Sequence, residues 1–203
     1  MDYEFKIVLA STSPRRISLL RQTGMLFSAV APMEDEASAK PDPKERVMEN
    51  ALAKARSVLG NVEAGLVVGA DTVVYIDEKI LGKPSSDDEA HRMMETLSGR
   101  VHRVFTGLAV IDAESGREIV CCEETQVHLM ELSDEEIIRY VESGEPMGKA
   151  GAYAIQGLGA VFVDRVVGCF HNVVGLPLSL LWKMIRSMGY DPFSLIEWAN
   201  VDV

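Results

Sequence analysis

The chain has 203 residues, of which 47% are hydrophobic and 25% are charged, so it can bury a substantial core as a globular protein. Its formal net charge of -11 argues against nonspecific binding to nucleic acid, because a polyanion would be repelled unless positive charge were gathered in one place. A small phosphorylated ligand remains compatible with this charge balance.

The cysteines and the N-terminus indicate a reducing compartment. The chain has three cysteines, two of them adjacent, which form neither an even disulfide framework nor a C-x-x-C metal motif. Residues 1–6 lack a basic stretch followed by an apolar one, and no apolar run approaches the roughly 20 residues of a membrane span. We therefore expect a cytoplasmic protein without a membrane partner.

The N-terminal part predicts a strand that leads into a capped helix. The apolar run at residues 7–10 is typical of a buried strand, and Ser13 and Pro14 suit the N-cap and the first helical position. Unpaired N–H groups and the positive end of the helix dipole favour an anion here, and Arg15 and Arg16 stand beside them. The stretch is typical of a phosphate site, although a capped surface helix with solvated arginines would show the same pattern.

The remaining elements follow from hydrophobic periodicity and from helix caps. A long hairpin at residues 101–130 indicates a mixed sheet. In chain order we predict a strand at 26–30, an acidic loop at 32–36, a helix at 43–59, a strand at 66–76, a helix from about 86 to 99, strands at 101–112 and 117–130, a helix from about 133 to 144, a glycine-rich segment at 145–157, a strand at 160–166, a helix at 177–188 and a short helix after 192.

Asp71 is the residue whose setting most needs an explanation. It lies within the predicted strand 66–76, which is apolar on both faces, and a buried carboxylate is costly unless it is paired, bound to metal or used in proton transfer. The alternative is a structural aspartate that bonds a neighbouring loop. Lys83 follows a turn that could return its ammonium towards Asp71, whereas Lys54 and Lys149 are ambiguous, because a single lysine is usually solvated.

Several familiar motifs are absent from the sequence. Residues 144–149 have one residue too few between the glycines for a P-loop, and residues 157–159 lead into a predicted strand, unlike a dinucleotide fingerprint. The four histidines have no zinc spacing, so a bound metal should be a hard ion on carboxylates. Cys169, near His171 and Asn172, is more typical of a buried thiol than of a nucleophile.

Six short motifs, read together, resemble the Maf family of nucleoside triphosphate pyrophosphatases. They occur in order along nearly the whole chain, so the joint pattern is far more specific than any one of them. The motifs are Ser11-Thr12-Ser13-Pro14-Arg15-Arg16, Gly69-Ala70-Asp71-Thr72, Gly82-Lys83-Pro84, Ser98-Gly99 with His102, Val104, Thr106 and Gly107, Lys149-Ala150-Gly151-Ala152-Tyr153 with Ile155-Gln156-Gly157, and Asn172-Val173-Val174-Gly175-Leu176-Pro177.

The resemblance implies an α/β fold like that of inosine-triphosphate pyrophosphatases. This fold is a mixed, twisted sheet flanked by helices, in two lobes with a central cleft, and we expect one Maf-like domain over residues 1–203. The implied reaction is attack of water on a nucleoside triphosphate, which releases a nucleoside monophosphate and pyrophosphate. The expected partner is the nucleotide, with no nucleic acid, and a homodimer is compatible with the sequence.

The resemblance also implies roles for individual residues. Asp71 would be the proton acceptor, and it would hold Mg²⁺ or Mn²⁺ together with Glu36, the best match in an acidic loop where Glu34 and Asp35 are neighbouring alternatives. The implied phosphate-binding residues are Ser11, Ser13, Arg15, Arg16, Lys54, Lys83 and Lys149.

The base specificity is predicted from Arg15, Thr72 and Gln156. By resemblance these residues accompany enzymes that act on dTTP and UTP, with CTP and modified pyrimidine nucleotides as further candidates. A glutamine amide can match the O4/N3–H edge of uracil or thymine, unless Gln156 merely bonds backbone in its loop. The alternatives are a 7-methylguanosine triphosphate pyrophosphatase and a nucleotide-binding regulator of cell division without catalysis, which would have no need for Asp71.

Overall fold

The computed structural model describes residues 7–33 and 37–197. Its strands are β1 (Ile7–Ala10), β2 (Phe27–Val30), β3 (Leu66–Ile76), β4 (Lys79–Leu81), β5 (Val101–Asp112), β6 (Glu118–Leu129) and β7 (Val163–Val167). Its helices are α1 (Pro14–Arg21), α2 (Pro43–Leu59), α3 (Asp87–Leu97), α4 (Asp134–Glu142), α5 (Phe170–Val174) and α6 (Leu178–Ser187). Short 3-10 helices span Ala150–Ala152, Leu158–Phe162 and Pro192–Leu195.

The strands form one sheet in the order β2-β1-β3-β5-β6-β7, with β4 paired to β3. β1 runs parallel to both of its neighbours, whereas the pairs β3–β4 and β6–β7 are antiparallel. All four residues of β1 are buried, which explains its apolar sequence, because a parallel strand is covered on both faces. The predicted mixed sheet is therefore confirmed.

Two compact units divide the chain. Unit 1 contains residues 1–71, 106–123 and 175–203, and unit 2 contains residues 72–105 and 124–174. β3, β5 and β6 thus contribute residues to both units. A single domain over residues 1–203 stays a prediction.

The core of unit 1 forms where α2 packs on the sheet. Asp42 caps α2, since its carboxylate accepts a hydrogen bond of 2.9 Å from the backbone N–H of Glu45. The inward face of α2 carries small side chains, which lets the helix lie close to the strands. The buried members of this core are Val8, Ala10, Ala51, Ala55, Val58, Val67, Ala109 and Ile111.

Two glycines set the distance between α2 and the sheet. A Cβ atom on Gly69 of β3 would lie 2.1 Å from the carbonyl oxygen of Ala51, and one on Gly107 of β5 would lie 2.2 Å from that of Val47. Both distances are far shorter than van der Waals contact, so only glycine allows this approach. The close approach brings polar side chains of α2 within reach of β3.

We expect Gly69→Ala to lower the free energy of unfolding by about 3 kcal/mol, because the added methyl group must displace α2 backbone. Urea denaturation of the full chain measures this change. Gly60→Ala is the matched control, since Gly60 has φ −61° and no atom lies within 4 Å of its Cβ position. It should change the free energy by no more than about 0.5 kcal/mol. Equal stabilities of the two variants would contradict the close packing.

The core of unit 2 packs α3 and α4 with apolar residues from its strands. Ser133 and Glu136 form a capping box at the start of α4, which specifies where this predicted helix begins. The buried members of this core from these helices and from β3 include Val74, Ile76, Met93, Met94, Leu97, Ile137, Tyr140 and Val141. Within the described ranges, no helix combines the length and apolar character needed to span a membrane.

Two elements near the C-terminal part differ from the prediction. The strand predicted at 160–166 is β7 at Val163–Val167, preceded by the 3-10 helix Leu158–Phe162. The chain turns instead of extending because Gly157 has φ 86° and the N–H groups of Leu158 and Gly159 bond to the side chain of Glu145. The helix α5 was not predicted, because five residues are too few to show helical periodicity.

Candidate active site

Asp71 is buried in β3, and each of its two carboxylate oxygens contacts a side chain of α2. Asp71 is 1% exposed, and its Oδ1 atom is 2.6 Å from Nζ of Lys54. Its Oδ2 atom accepts a hydrogen bond of 2.9 Å from Nδ2 of Asn50. Both oxygens of the carboxylate therefore have a partner, and Lys54 compensates the negative charge.

The positions of these partners follow from the geometry of α2. Asn50 and Lys54 are four residues apart, so they lie on the same face of the helix, and both are buried. That face is otherwise apolar, and the close approach at Gly69 brings it onto β3. Burying an ion pair costs desolvation free energy, and an apolar triad of the same volume would serve packing as well. The triad is thus better explained by chemistry than by stability.

The junction of β1 and α1 is shaped by the two predicted serines. Ser11 is buried, and its Oγ accepts a hydrogen bond of 3.1 Å from the backbone N–H of Ser13. Ser13 occupies the N-cap position with φ −65° and ψ 117°, and Pro14 is the first helical residue, as predicted. The side chain of Ser13 makes no capping hydrogen bond, so the turn is held by Ser11 instead.

The two arginines of α1 have different surroundings. Arg16 donates from Nε to the carbonyl oxygen of Gly175 at 2.8 Å, which fixes the direction of its guanidinium. Arg15 is half-buried, and burial lowers the pKa of its guanidinium. No acidic residue lies in the first turn of α1, so positive charge dominates this helix start. The arrangement suits an anionic ligand.

Residues 149–159 of unit 2 form a segment that we call the glycine loop. The predicted residues Lys149 and Gln156 belong to it, and Lys83 lies next to a residue that contacts it. Gly82, which precedes Lys83, accepts a hydrogen bond of 2.9 Å at its carbonyl oxygen from the N–H of Gly151. The ammonium of Lys149 donates to the carbonyl oxygen of Glu145. Residues 151–155 are buried, and Gln156 is exposed directly after them, while Thr72 is half-buried.

Of the two predicted metal ligands, Asp71 and Glu36, the structure describes only one. Glu36 lies outside the described residues, so the structure describes Asp71 alone of the predicted pair. In the described ranges, one group of histidine and carboxylate side chains could hold an ion: His91, Glu95 and Asp134, whose ligand atoms lie within 4.8 Å of one another. This group is in unit 2 and does not include Asp71.

Asn50 is the residue of this site that the sequence reasoning missed. Its signal was present, because Asn50 and Lys54 are polar residues four positions apart on a helix face that is otherwise apolar. Polar side chains on the buried face of a helix need hydrogen-bond partners, and Asp71 was a predicted buried carboxylate that also needed one.

The fold is shared with a solved protein of low sequence similarity. The structure of the Ham1 protein from Staphylococcus aureus matches with a TM-score of 0.53 at 13% sequence identity, covering 90% of this chain and 99% of that one. At this identity the likeness concerns the fold alone. Together with the strand order, it confirms the predicted fold class, a mixed sheet flanked by helices like that of inosine-triphosphate pyrophosphatases.

The chain belongs to the Maf family, since the family described as Maf-like protein matches residues 6–188. A relative from Caldicellulosiruptor saccharolyticus, named dTTP/UTP pyrophosphatase, is 47% identical over 192 residues that cover 92% of this chain and 96% of the relative. One of the same name from Pelotomaculum thermopropionicum is 48% identical over 187 residues, covering 92% of this chain and 98% of the relative. The predicted family is therefore confirmed.

Proposed function

We propose that this protein hydrolyses dTTP and UTP to the nucleoside monophosphate and pyrophosphate. The observation that carries the proposal is the buried Asp71, whose carboxylate is bonded to Lys54 and Asn50 in an otherwise apolar part of the sheet. The printed names of the relatives support the same reaction. A protein that only bound nucleotides would have no use for this costly triad.

Asp71 acts as the proton acceptor in the proposed mechanism. It orients the attacking water and takes its proton, while Asn50 and Lys54 hold the carboxylate in one place. Arg15 and Arg16, with the backbone at the start of α1, bind the phosphates and offset the charge that develops on the leaving pyrophosphate. Catalysis of this kind depends on positioning and on charge, and the held carboxylate of Asp71 and the arginines of α1 support both parts of the proposal.

A divalent ion, Mg²⁺ or Mn²⁺, fits the donor chemistry of Asp71. A carboxylate has about four lone-pair sites, so each oxygen of Asp71 retains a site beyond its one described partner. Such oxygens are the ligands that these hard ions prefer. We propose that Asp71 and Glu36 would hold the ion, which when bound supplies charge neutralisation at the phosphates.

The remaining assignments rest on the resemblance and stay proposals. Lys83 and Lys149 would bind phosphate, and Gln156 would read the base together with Thr72 and Arg15. The exposure of Gln156 after a buried stretch supports this role, because a base reader must be accessible to its ligand. Location in the cytoplasm and a homodimer likewise remain predictions.

The test is product analysis with dTTP, UTP and 7-methylguanosine triphosphate in the presence of Mg²⁺ or Mn²⁺. We expect the products to be the monophosphate and pyrophosphate. We also expect kcat/KM for dTTP and UTP to be at least about tenfold higher than for 7-methylguanosine triphosphate, because a glutamine amide matches the pyrimidine edge. Release of orthophosphate and a nucleoside diphosphate would reject the reaction. The reverse order of kcat/KM would reject the base assignment alone, since the phosphate residues and Asp71 do not depend on the base.

A further inference from the structure

The glycine loop follows a path that few residues could adopt. Gly151 has φ 70° and packs so closely that an added Cβ would lie 2.7 Å from Cγ2 of Val74. Ala152 has φ 59°, a conformation that costs a non-glycine residue free energy unless its surroundings impose it. Hydrogen bonds on both sides of Gln156 connect this segment to neighbouring elements.

The first contact lies before Gln156 and involves a buried histidine. The hydroxyl oxygen of Tyr153 lies 2.7 Å from Nε2 of His102, and both residues are buried. Burial and, to a smaller extent, the charge on the nearby His128 lower the pKa of His102 to about 4. The imidazole is therefore neutral at pH 7, and this end of the loop is anchored without a charge.

The contacts after Gln156 converge on the carboxylate of Glu145. Its Oε1 accepts from the backbone N–H of Leu158 at 2.9 Å, and its Oε2 accepts from that of Gly159 at 2.8 Å. Gly157 lies against the same carboxylate, since an added Cβ would be 2.0 Å from Oε1. One side chain thus holds the backbone immediately C-terminal to Gln156.

Tyr140 connects Glu145 to the other side of Gln156. Its hydroxyl oxygen accepts from the N–H of Ala154 at 3.1 Å, and its own proton is donated to Glu145. Burial alone would raise the pKa of Glu145, but the hydrogen bonds from Gly159, Tyr140 and Leu158 bring it below its ordinary value. Glu145 is therefore ionised at neutral pH, and its carboxylate accepts hydrogen bonds from Leu158, Gly159 and Tyr140.

We infer that Glu145 is a positioning residue that fixes Gln156 for reading the base. The inference rests on the proposed function, because it takes Gln156 as the base reader. Glu145 acts through the backbone at Leu158 and Gly159 and through Tyr140, which bonds to Ala154. The hydrogen bonds therefore hold the chain two residues before Gln156 and two and three residues after it.

The test compares Glu145→Gln with Glu142→Gln in the full chain. A carboxamide has one acceptor oxygen, so its NH₂ group would face a backbone N–H and the loop would lose a contact. Glu142 is the matched control, because it is exposed at the end of α4 and undergoes the same change of charge. Tyr140→Phe is the second variant, since it keeps the ring and removes only the hydroxyl.

We expect Glu145→Gln to raise KM for dTTP about tenfold while kcat changes less than about threefold, as when binding of the ground state and transition state is lost equally. The ratio of kcat/KM for dTTP to that for 7-methylguanosine triphosphate should fall in the same variant. Tyr140→Phe should shift KM in the same direction, and Glu142→Gln should leave both constants unchanged. The hydrogen bonds of the Glu145 carboxylate do not involve Asp71, which is why kcat should persist.

Amide hydrogen exchange gives a readout that does not depend on activity. The amides of Leu158 and Gly159 should exchange faster in Glu145→Gln than in Glu142→Gln. Wild-type activity is measured first, and a wild type without pyrophosphate release would reject the proposed function itself. An active wild type combined with unchanged KM in Glu145→Gln, or with loss of kcat instead, would overturn the role of Glu145.

Discussion

Replacing Asp71 by asparagine should lower kcat by about 100-fold or more, because the substitution removes the proton acceptor and leaves a side chain of nearly the same shape. The asparagine oxygen can accept from Asn50 or from Lys54 but not from both, so the variant should also lose some stability, and turnover is compared per folded molecule. Nucleotide binding should be weakened far less than turnover, since the arginines of α1 remain. Steady-state kinetics of pyrophosphate release and equilibrium binding of dTTP measure the two effects separately.

Asp112→Asn provides the matched control for this substitution. Asp112 is also a buried aspartate of unit 1, and its Oδ2 accepts hydrogen bonds of 2.7 Å from Ser115 and 2.9 Å from Tyr190. Losing its charge should therefore lower stability without lowering kcat. Circular dichroism of both variants corrects for the folded fraction. Near wild-type turnover in Asp71→Asn would show that Asp71 is structural and that another group accepts the proton.

Replacing Lys54 by methionine should lower the free energy of unfolding by about 3–5 kcal/mol, because it leaves the buried carboxylate of Asp71 without its compensating charge. Methionine fills a similar volume, so the loss reports the charge and not a cavity. Urea denaturation with linear extrapolation measures the change. The double variant Lys54→Met/Asp71→Asn should lose less than the sum of the single variants, because neither charge is then left alone.

Arg56→Met tests whether burial is responsible for this effect. Arg56 lies on the same helix and also forms an ion pair, with Nη2 2.6 Å from Oε2 of Glu118, but its side chain is 56% exposed. We expect a loss below about 1 kcal/mol, because water screens an exposed pair. Similar losses in Lys54→Met and Arg56→Met would contradict the importance of the buried pair.

The sequence by itself determined the local elements and the family. The predicted bounds of α2, β3 and β5 agree with the structure, because caps, periodicity and β-branched runs act within a few residues. Asp71 was recognised in the same way, since a carboxylate in an apolar strand is unusual wherever the strand packs. The start of α1 was also predicted from Ser13 and Pro14.

Only the tertiary structure decided which side chains meet. Asn50 became part of the site because two glycines of the sheet let α2 approach β3, and no pattern within α2 specifies that distance. Arg16 bonds to Gly175, 159 positions away, and Glu145 turned the chain after Gln156 into a 3-10 helix where a strand was predicted. Propensities describe a residue and its neighbours in the chain, whereas hydrogen bonds and close packing depend on groups that folding brings together.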